Sequence, residues 1–122
     1  MSKNVGVIGL GAMGYGVASS LLRAGFNVHA CDVRKEVLDK FAAAGGVACA
    51  NPAELAAKVD VVITLVVNAA QTEMVLFGEN GAVSAMKPGS VVISSATVAP
   101  DFAVELGKRL AEKDLLLLDA PV

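Results

Sequence analysis

The 122-residue chain has no tryptophan, one tyrosine, four phenylalanines and a single histidine. Aromatics make up only 4% of it against 55% hydrophobic residues overall, so any core must be built from Val, Leu, Ile and Ala. That apolar content excludes a disordered chain, and the length suits one domain, expected to span residues 1–122. Neither sign of charge dominates. Ten basic and twelve acidic side chains leave a net charge of −2, which offers no footprint for a nucleic-acid backbone or an anionic membrane. Long apolar runs are missing as well: residues 61–67 and 115–118 fall far short of the ~20 that a membrane-spanning helix needs. Cysteine is limited to Cys31 and Cys49, without CxxC spacing or a nearby histidine. The expected state is two buried thiols in a reducing compartment, ahead of a disulfide or a metal site. Glycines at positions 6, 9, 11, 14 and 16 interrupt the apolar opening, which excludes the h-region of a signal peptide. The chain is expected to be cytoplasmic.

What is present is an apolar pattern that keeps switching period. Val5, Val7 and Ile8 form a short strand ending at Gly9, and Met13, Val17 and Leu21 then recur every four residues as a helical stripe, with Ala18 and Leu22 beside it. Gly25 stands where a left-handed helix cap is expected. Residues 26–31 predict a second strand ending at Asp32, and Val37, Leu38 and Phe41 a second helix closed by Gly45 and Gly46. Residues 47–49 predict a brief third strand. Asn51, Pro52 and Glu54 then supply a capping side chain, Pro at the first helical position and Glu three residues after the cap. The β-branched run 61–67 predicts a central parallel strand covered on both faces. Asn68 to Gln71 repeat the capping logic, residues 91–95 predict another strand, Pro100 opens a helix carrying Phe102, Leu106 and Leu110, and residues 115–118 give a last strand. Alternation of this kind implies an α/β fold, a Rossmann-type doubly wound parallel sheet with helices on both faces.

Gly9-Leu10-Gly11-Ala12-Met13-Gly14 is a G-x-G-x-x-G that leaves the first strand and opens the first helix. Gly9 permits the tight turn, Gly11 lets a pyrophosphate approach the backbone, and Gly14 allows close packing of helix on sheet. The unpaired N–H groups of the first helical turn, from about Ala12 and Met13, then point at the anion. Alone the motif is weak, because a glycine-rich turn also has purely structural uses. Asp32 strengthens it: 18 residues after Gly14, at a strand end, a carboxylate is placed to accept from the adenosine ribose hydroxyls. It would also repel a 2′-phosphate, favouring NAD over NADP. Arg34 leaves three readings open: a stack on adenine, partial compensation of a phosphate, or an ordinary exposed side chain at a helix start.

The crevice beyond the strand ends would take the rest of the cofactor. Val66 and Val67 are candidates to pack on adenosine or the ribose, and Ser95 or Thr97 to hydrogen-bond near the nicotinamide; Asn68 and the serines also have local structural uses. Acid–base candidates are scarce. His29 lies mid-strand, where a structural role is expected, and no Ser/His/Asp set or metal-ligand cluster can be assembled, so no catalytic residue and no metal site are expected.

The residues from Val7 to Gly14, followed by Leu21-Leu22-Arg23-Ala24-Gly25, closely resemble the amino terminus of the β-hydroxyacid dehydrogenases, the family of the 3-hydroxyisobutyrate enzymes. The likeness continues through Phe77-Gly78-Glu79-Asn80-Gly81, Lys87-Pro88-Gly89, Ser94-Ser95 and Asp119-Ala120-Pro121-Val122, and the stretch from Leu65 to Gln71 resembles the branch acting on L-threonate. The resemblance implies pyrophosphate held by the glycine loop with Ala12 and Met13, ribose by Asp32 beside Val33 and Arg34, and Thr97 bordering the nicotinamide. NADP-preferring relatives tend to carry Asn-Arg-Ser/Thr where this chain has Asp32-Val33-Arg34, which supports NAD. It further implies a substrate loop and a mostly helical second domain carrying a catalytic lysine, neither of which is found in these 122 residues. The expected function is therefore cofactor binding without turnover. The parent would be a homo-oligomeric enzyme, joined through that second domain, oxidising a small 2- or 3-hydroxy acid, with L-threonate the first expectation. A stand-alone NAD-sensing regulatory module is the alternative, and an S-adenosylmethionine methyltransferase a more distant one.

Overall fold

The computed structural model describes residues 4–66, 68–95 and 99–119. Six strands, β1 (Asn4–Ile8), β2 (Asn27–Cys31), β3 (Val47–Ala48), β4 (Val61–Thr64), β5 (Val91–Ser94) and β6 (Leu116–Asp119), form one parallel sheet in the order β3-β2-β1-β4-β5-β6. Five helices separate them: α1 (Ala12–Arg23), α2 (Lys35–Ala43), α3 (Pro52–Ala56), α4 (Ala69–Phe77) and α5 (Pro100–Ala111). The order reverses between β1 and β4, so the chain winds outward from β1 in both directions. This is the doubly wound sheet that the sequence predicts, and its switch point lies at the exits of β1 and β4.

Local chemistry fixes the helix ends. At the end of α1, Gly25 takes φ +96°, while its N–H bonds the Leu22 carbonyl and Phe26 N–H bonds that of Leu21, both at 3.1 Å. This is the paired closure that a left-handed glycine permits. Asn51 and Asn68 cap α3 and α4, their side-chain oxygens accepting from Glu54 N–H at 2.8 Å and Gln71 N–H at 2.9 Å.

Two cores result. Val7, Leu10, Ala18, Val28, Ala30 and Phe41 are buried between the sheet and α1 with α2. On the opposite face a larger cluster, including Leu55, Val62, Leu76, Val92, Leu106 and Leu110, packs under α3, α4 and α5. Three details differ from the sequence-based expectation. The face of α1 that meets the sheet is centred on Gly14 and Ala18, whereas Met13 is 56% exposed. Strand β4 ends at Thr64, so Leu65 and Val66 belong to the crest above the sheet. Nor is the sheet fully covered on both faces. Val61, Val91 and Leu116 lie side by side in register, as do Ile63, Ile93 and Leu118. Leu116 and Leu118 are more than half exposed, and no described helix covers them. None of the described helices is long and apolar enough to cross a membrane.

Candidate cofactor site

The three motif glycines do different work. Gly9 adopts φ +102°, and a Cβ there would stand 2.7 Å from the Leu65 carbonyl oxygen. A Cβ on Gly14 would overlap the Gly9 carbonyl oxygen at 1.9 Å. Both are explained by the fold itself, because the loop must pass tightly between β1, β4 and α1. Gly11 has no such reason. Its φ of −65° suits any residue, and a Cβ built on it meets nothing within 4 Å. The absent side chain leaves open space at the mouth of α1, where a ligand atom can reach the backbone.

The chemistry of that mouth suits an anion. The helical ladder begins with Tyr15 N–H donating to the Gly11 carbonyl at 2.7 Å, so the amides of residues 12–14 stand ahead of it. Gly11 is the N-cap and has no side chain with which to accept from them, and the first turn contains no acidic residue. Free donors and the positive end of the helix dipole therefore face the same space.

Asp32 borders this loop. Its side chain is only 6% exposed. Oδ2 accepts from Leu10 N–H at 2.6 Å and from Arg34 Nη2 at 3.2 Å, while Oδ1 accepts from Arg34 N–H at 2.8 Å and from its Nε at 3.0 Å. Burial alone would push this carboxyl up, but the hydrogen bonds from the Arg34 side chain and backbone and from the Leu10 amide outweigh it and hold the acid below its ordinary value. The aspartate is thus ionised at neutral pH and ties the glycine loop to the end of β2.

The remaining sequence candidates fall into distinct places. Leu10 is 2% exposed and belongs to the core, with its amide committed to Asp32, so it anchors the loop from beneath. Met13 projects at the helix mouth, and Val33 is fully exposed beyond Asp32. Val66 is half-buried, and its Cγ1 stands 3.6 Å from the position of a Gly9 Cβ, which puts it on the rim of the loop. Asn68 is exposed and caps α4. Val67 and Thr97 lie outside the described residues. At the exit of β5, Ser94 and Ser95 are buried, and the Ser94 hydroxyl has no hydrogen-bond partner among the described residues. His29 lies mid-strand, and its Nδ1 has no hydrogen-bond partner among the described residues. Cys31 and Cys49 are both free and buried.

Sequence reasoning did not anticipate the Leu10–Asp32 bond, nor the two-pronged grip of Arg34 on the same acid. The Asp-x-Arg spacing was the available signal for the second; the first depends on how β1 and β2 align and has no local signature.

Comparison with known proteins agrees with this geometry. Residues 4–122 match the family described as the NAD binding domain of 6-phosphogluconate dehydrogenase. The chain is 73% identical over its whole length to an L-threonate dehydrogenase of Cupriavidus necator, covering 41% of that protein. It is 43% identical over 120 residues to an L-threonate dehydrogenase of Escherichia coli K12, covering 40% of it. The crystal structure of a 3-hydroxyisobutyrate dehydrogenase from Salmonella typhimurium superposes with a TM-score of 0.94 at 42% identity, over 99% of this chain and 42% of that one. The chain thus spans about two fifths of the length of these relatives. A glycine loop whose central glycine the fold leaves unexplained, an ionised acid beside it and a family model matched from the first strand onward agree: the chain belongs to the family of NAD-binding domains of the 6-phosphogluconate dehydrogenase type.

Proposed function

We propose that residues 1–122 form the cofactor-binding unit of a larger NAD-dependent dehydrogenase acting on a small 2- or 3-hydroxy acid, L-threonate first. The observation that carries this reading is the open space at Gly11 under uncapped helix amides. In it, the glycine loop wraps the pyrophosphate, the amides of residues 12–14 donate to it and Met13 borders it. Asp32 accepts from the adenosine ribose hydroxyls, with Val33 and Arg34 beside the adenine; Val66 and Val67, followed by Asn68, are the residues assigned to pack on the adenosine or its ribose, and Thr97 to border the nicotinamide. The bound nicotinamide supplies hydride-transfer chemistry; this chain's residues hold and orient it. Substrate recognition and proton transfer fall to polypeptide outside these residues, as the length of the relatives supports. The exposed Leu116 and Leu118 of β6, beside the half-buried Val91 and Ile93 of β5, give such polypeptide a surface to pack on. The parent is accordingly a cytoplasmic homo-oligomer joined through that further polypeptide, with no nucleic-acid or membrane partner. The dehydrogenase names of the relatives favour this over a stand-alone NAD-sensing module.

The test is thermal unfolding with ligand. NAD at a hundred times its dissociation constant should add about 2.7 kcal/mol of stability. An absence of any shift, or a shift with S-adenosylmethionine alone, overturns the assignment.

A further inference from the structure

The Asp32 carboxylate is already saturated. A carboxylate offers about four lone-pair sites, and four contacts fill them: the Leu10 amide, the Arg34 amide, Arg34 Nε and Arg34 Nη2. The four are not equivalent. The two backbone amides are fixed by the glycine loop and by the turn into α2. The two guanidinium bonds come from a side chain that is 49% exposed and free to rotate into solvent. A ribose diol brings two O–H donors, so the two sites it can take are the two that the guanidinium fills.

We propose that Arg34 is a built-in competitor for the adenosine ribose, and that its displacement sets how strongly the site discriminates between NAD and NADP. This rests on the assignment of Asp32 to the ribose. In the free protein the guanidinium occupies the diol's place and neutralises the acid. Binding of NAD must lift it away, and its lost ion pair with Asp32 subtracts from the affinity. Once lifted, the guanidinium stays tethered two residues from the acid, beside the 2′-position. There a 2′-phosphate meets a cation that offsets the repulsion from Asp32, whereas an unmodified 2′-hydroxyl gains nothing comparable. Arg34 therefore weakens NAD and supports NADP, narrowing a preference that Asp32 alone would make wide.

The test is calorimetric titration of the 122-residue chain at low ionic strength with NAD and with NADP. Arg34→Leu should tighten NAD roughly two- to fivefold, the range expected for a solvent-facing ion pair, and weaken NADP. Arg34→Lys, which keeps the charge without the planar fork, should relieve part of the competition and retain more NADP binding than the leucine variant. NAD affinity unchanged or weakened by Arg34→Leu overturns the competition, and equal gains for both cofactors overturn the role in selectivity. Asp32→Asn separates this from the underlying reading. If it leaves NAD affinity intact, the ribose assignment itself fails; if it abolishes binding while Arg34→Leu brings no gain, only the competition fails. Unfolding curves for each variant confirm that the fold is kept.

Discussion

Adding one methyl group at Gly11 separates a loop shaped for a ligand from a loop shaped only for its own packing. In the free protein the new Cβ of Gly11→Ala meets nothing within 4 Å, and the backbone there already has φ −65°. Replacing glycine reduces the freedom of the unfolded chain, a gain of about 0.4–1 kcal/mol, whereas alanine is a poorer N-cap than glycine. These effects roughly cancel, and stability should stay within about 1 kcal/mol of the parent chain. With cofactor bound, the same methyl occupies the space through which the pyrophosphate reaches the amides. Overpacking of this kind costs about 1–3 kcal/mol, a roughly 5- to 150-fold loss in NAD affinity. Gly14→Ala should behave in the opposite way. Its Cβ would fall 1.9 Å from the Gly9 carbonyl oxygen, so α1 must shift off the sheet before any ligand arrives. That costs about 3 kcal/mol or more of stability, a drop in melting temperature on the order of 10 °C for a chain of this size. The assay pairs thermal unfolding without ligand with calorimetric titration of NAD. A Gly11→Ala variant that melts like Gly14→Ala, or one that binds NAD as tightly as the parent, would refute the reasoning.

Other substitutions test the surrounding structure. Asn68→Ala removes the cap of α4 and should cost about 0.5–2 kcal/mol in urea unfolding, while Asn68→Ser should keep most of it. If Asn68→Ser also keeps NAD affinity, the residue is a cap only; a loss of affinity makes it a cofactor contact. His29 is held below its usual 6.5 by burial and by the nearby Lys58. The unfolded chain therefore takes up that proton first, and stability should fall as pH drops below about 6.5, levelling off once the folded protein is protonated too. His29→Val should flatten this part of the pH profile, and an unchanged profile would assign it to other groups. Burial, helped by Cys49, Asp32 and Glu54, pushes the Cys31 thiol up to about 11, so on the order of one molecule in ten thousand carries the thiolate at pH 7. Its labelling by a thiol reagent should be limited by unfolding, and fast labelling of the native protein would contradict the burial.

Much of this was legible in the sequence because the signals were local. Caps at Asn51 and Asn68, the glycine after α1 and the switching apolar period each depend on a few neighbouring residues. The inner face of α1 was misread for a physical reason. Period counting weighs large apolar residues, which favours Met13, whereas close approach to the sheet selects small ones, and the buried face is Gly14 and Ala18. The end of β4 was overextended because Leu65 and Val66 are as β-prone as the strand before them; they leave the sheet to flank the glycine loop. An unbroken apolar run such as residues 115–118 also cannot reveal that one face is bare. Leu115 is buried, but Leu116 and Leu118 point to the side that no described helix reaches. Within the site, the glycine motif and Asp32 were readable from spacing. The Leu10–Asp32 bond was not, because it joins the ends of two strands 22 residues apart.

The most direct test of the cofactor site is an amide NMR titration of the isotope-labelled chain with NAD. The largest changes should fall on the backbone N–H signals of residues 11–14 and on Arg34, with smaller ones at Val66. A saturating titration that leaves those amides unmoved, or moves a different face of the sheet, would contradict it.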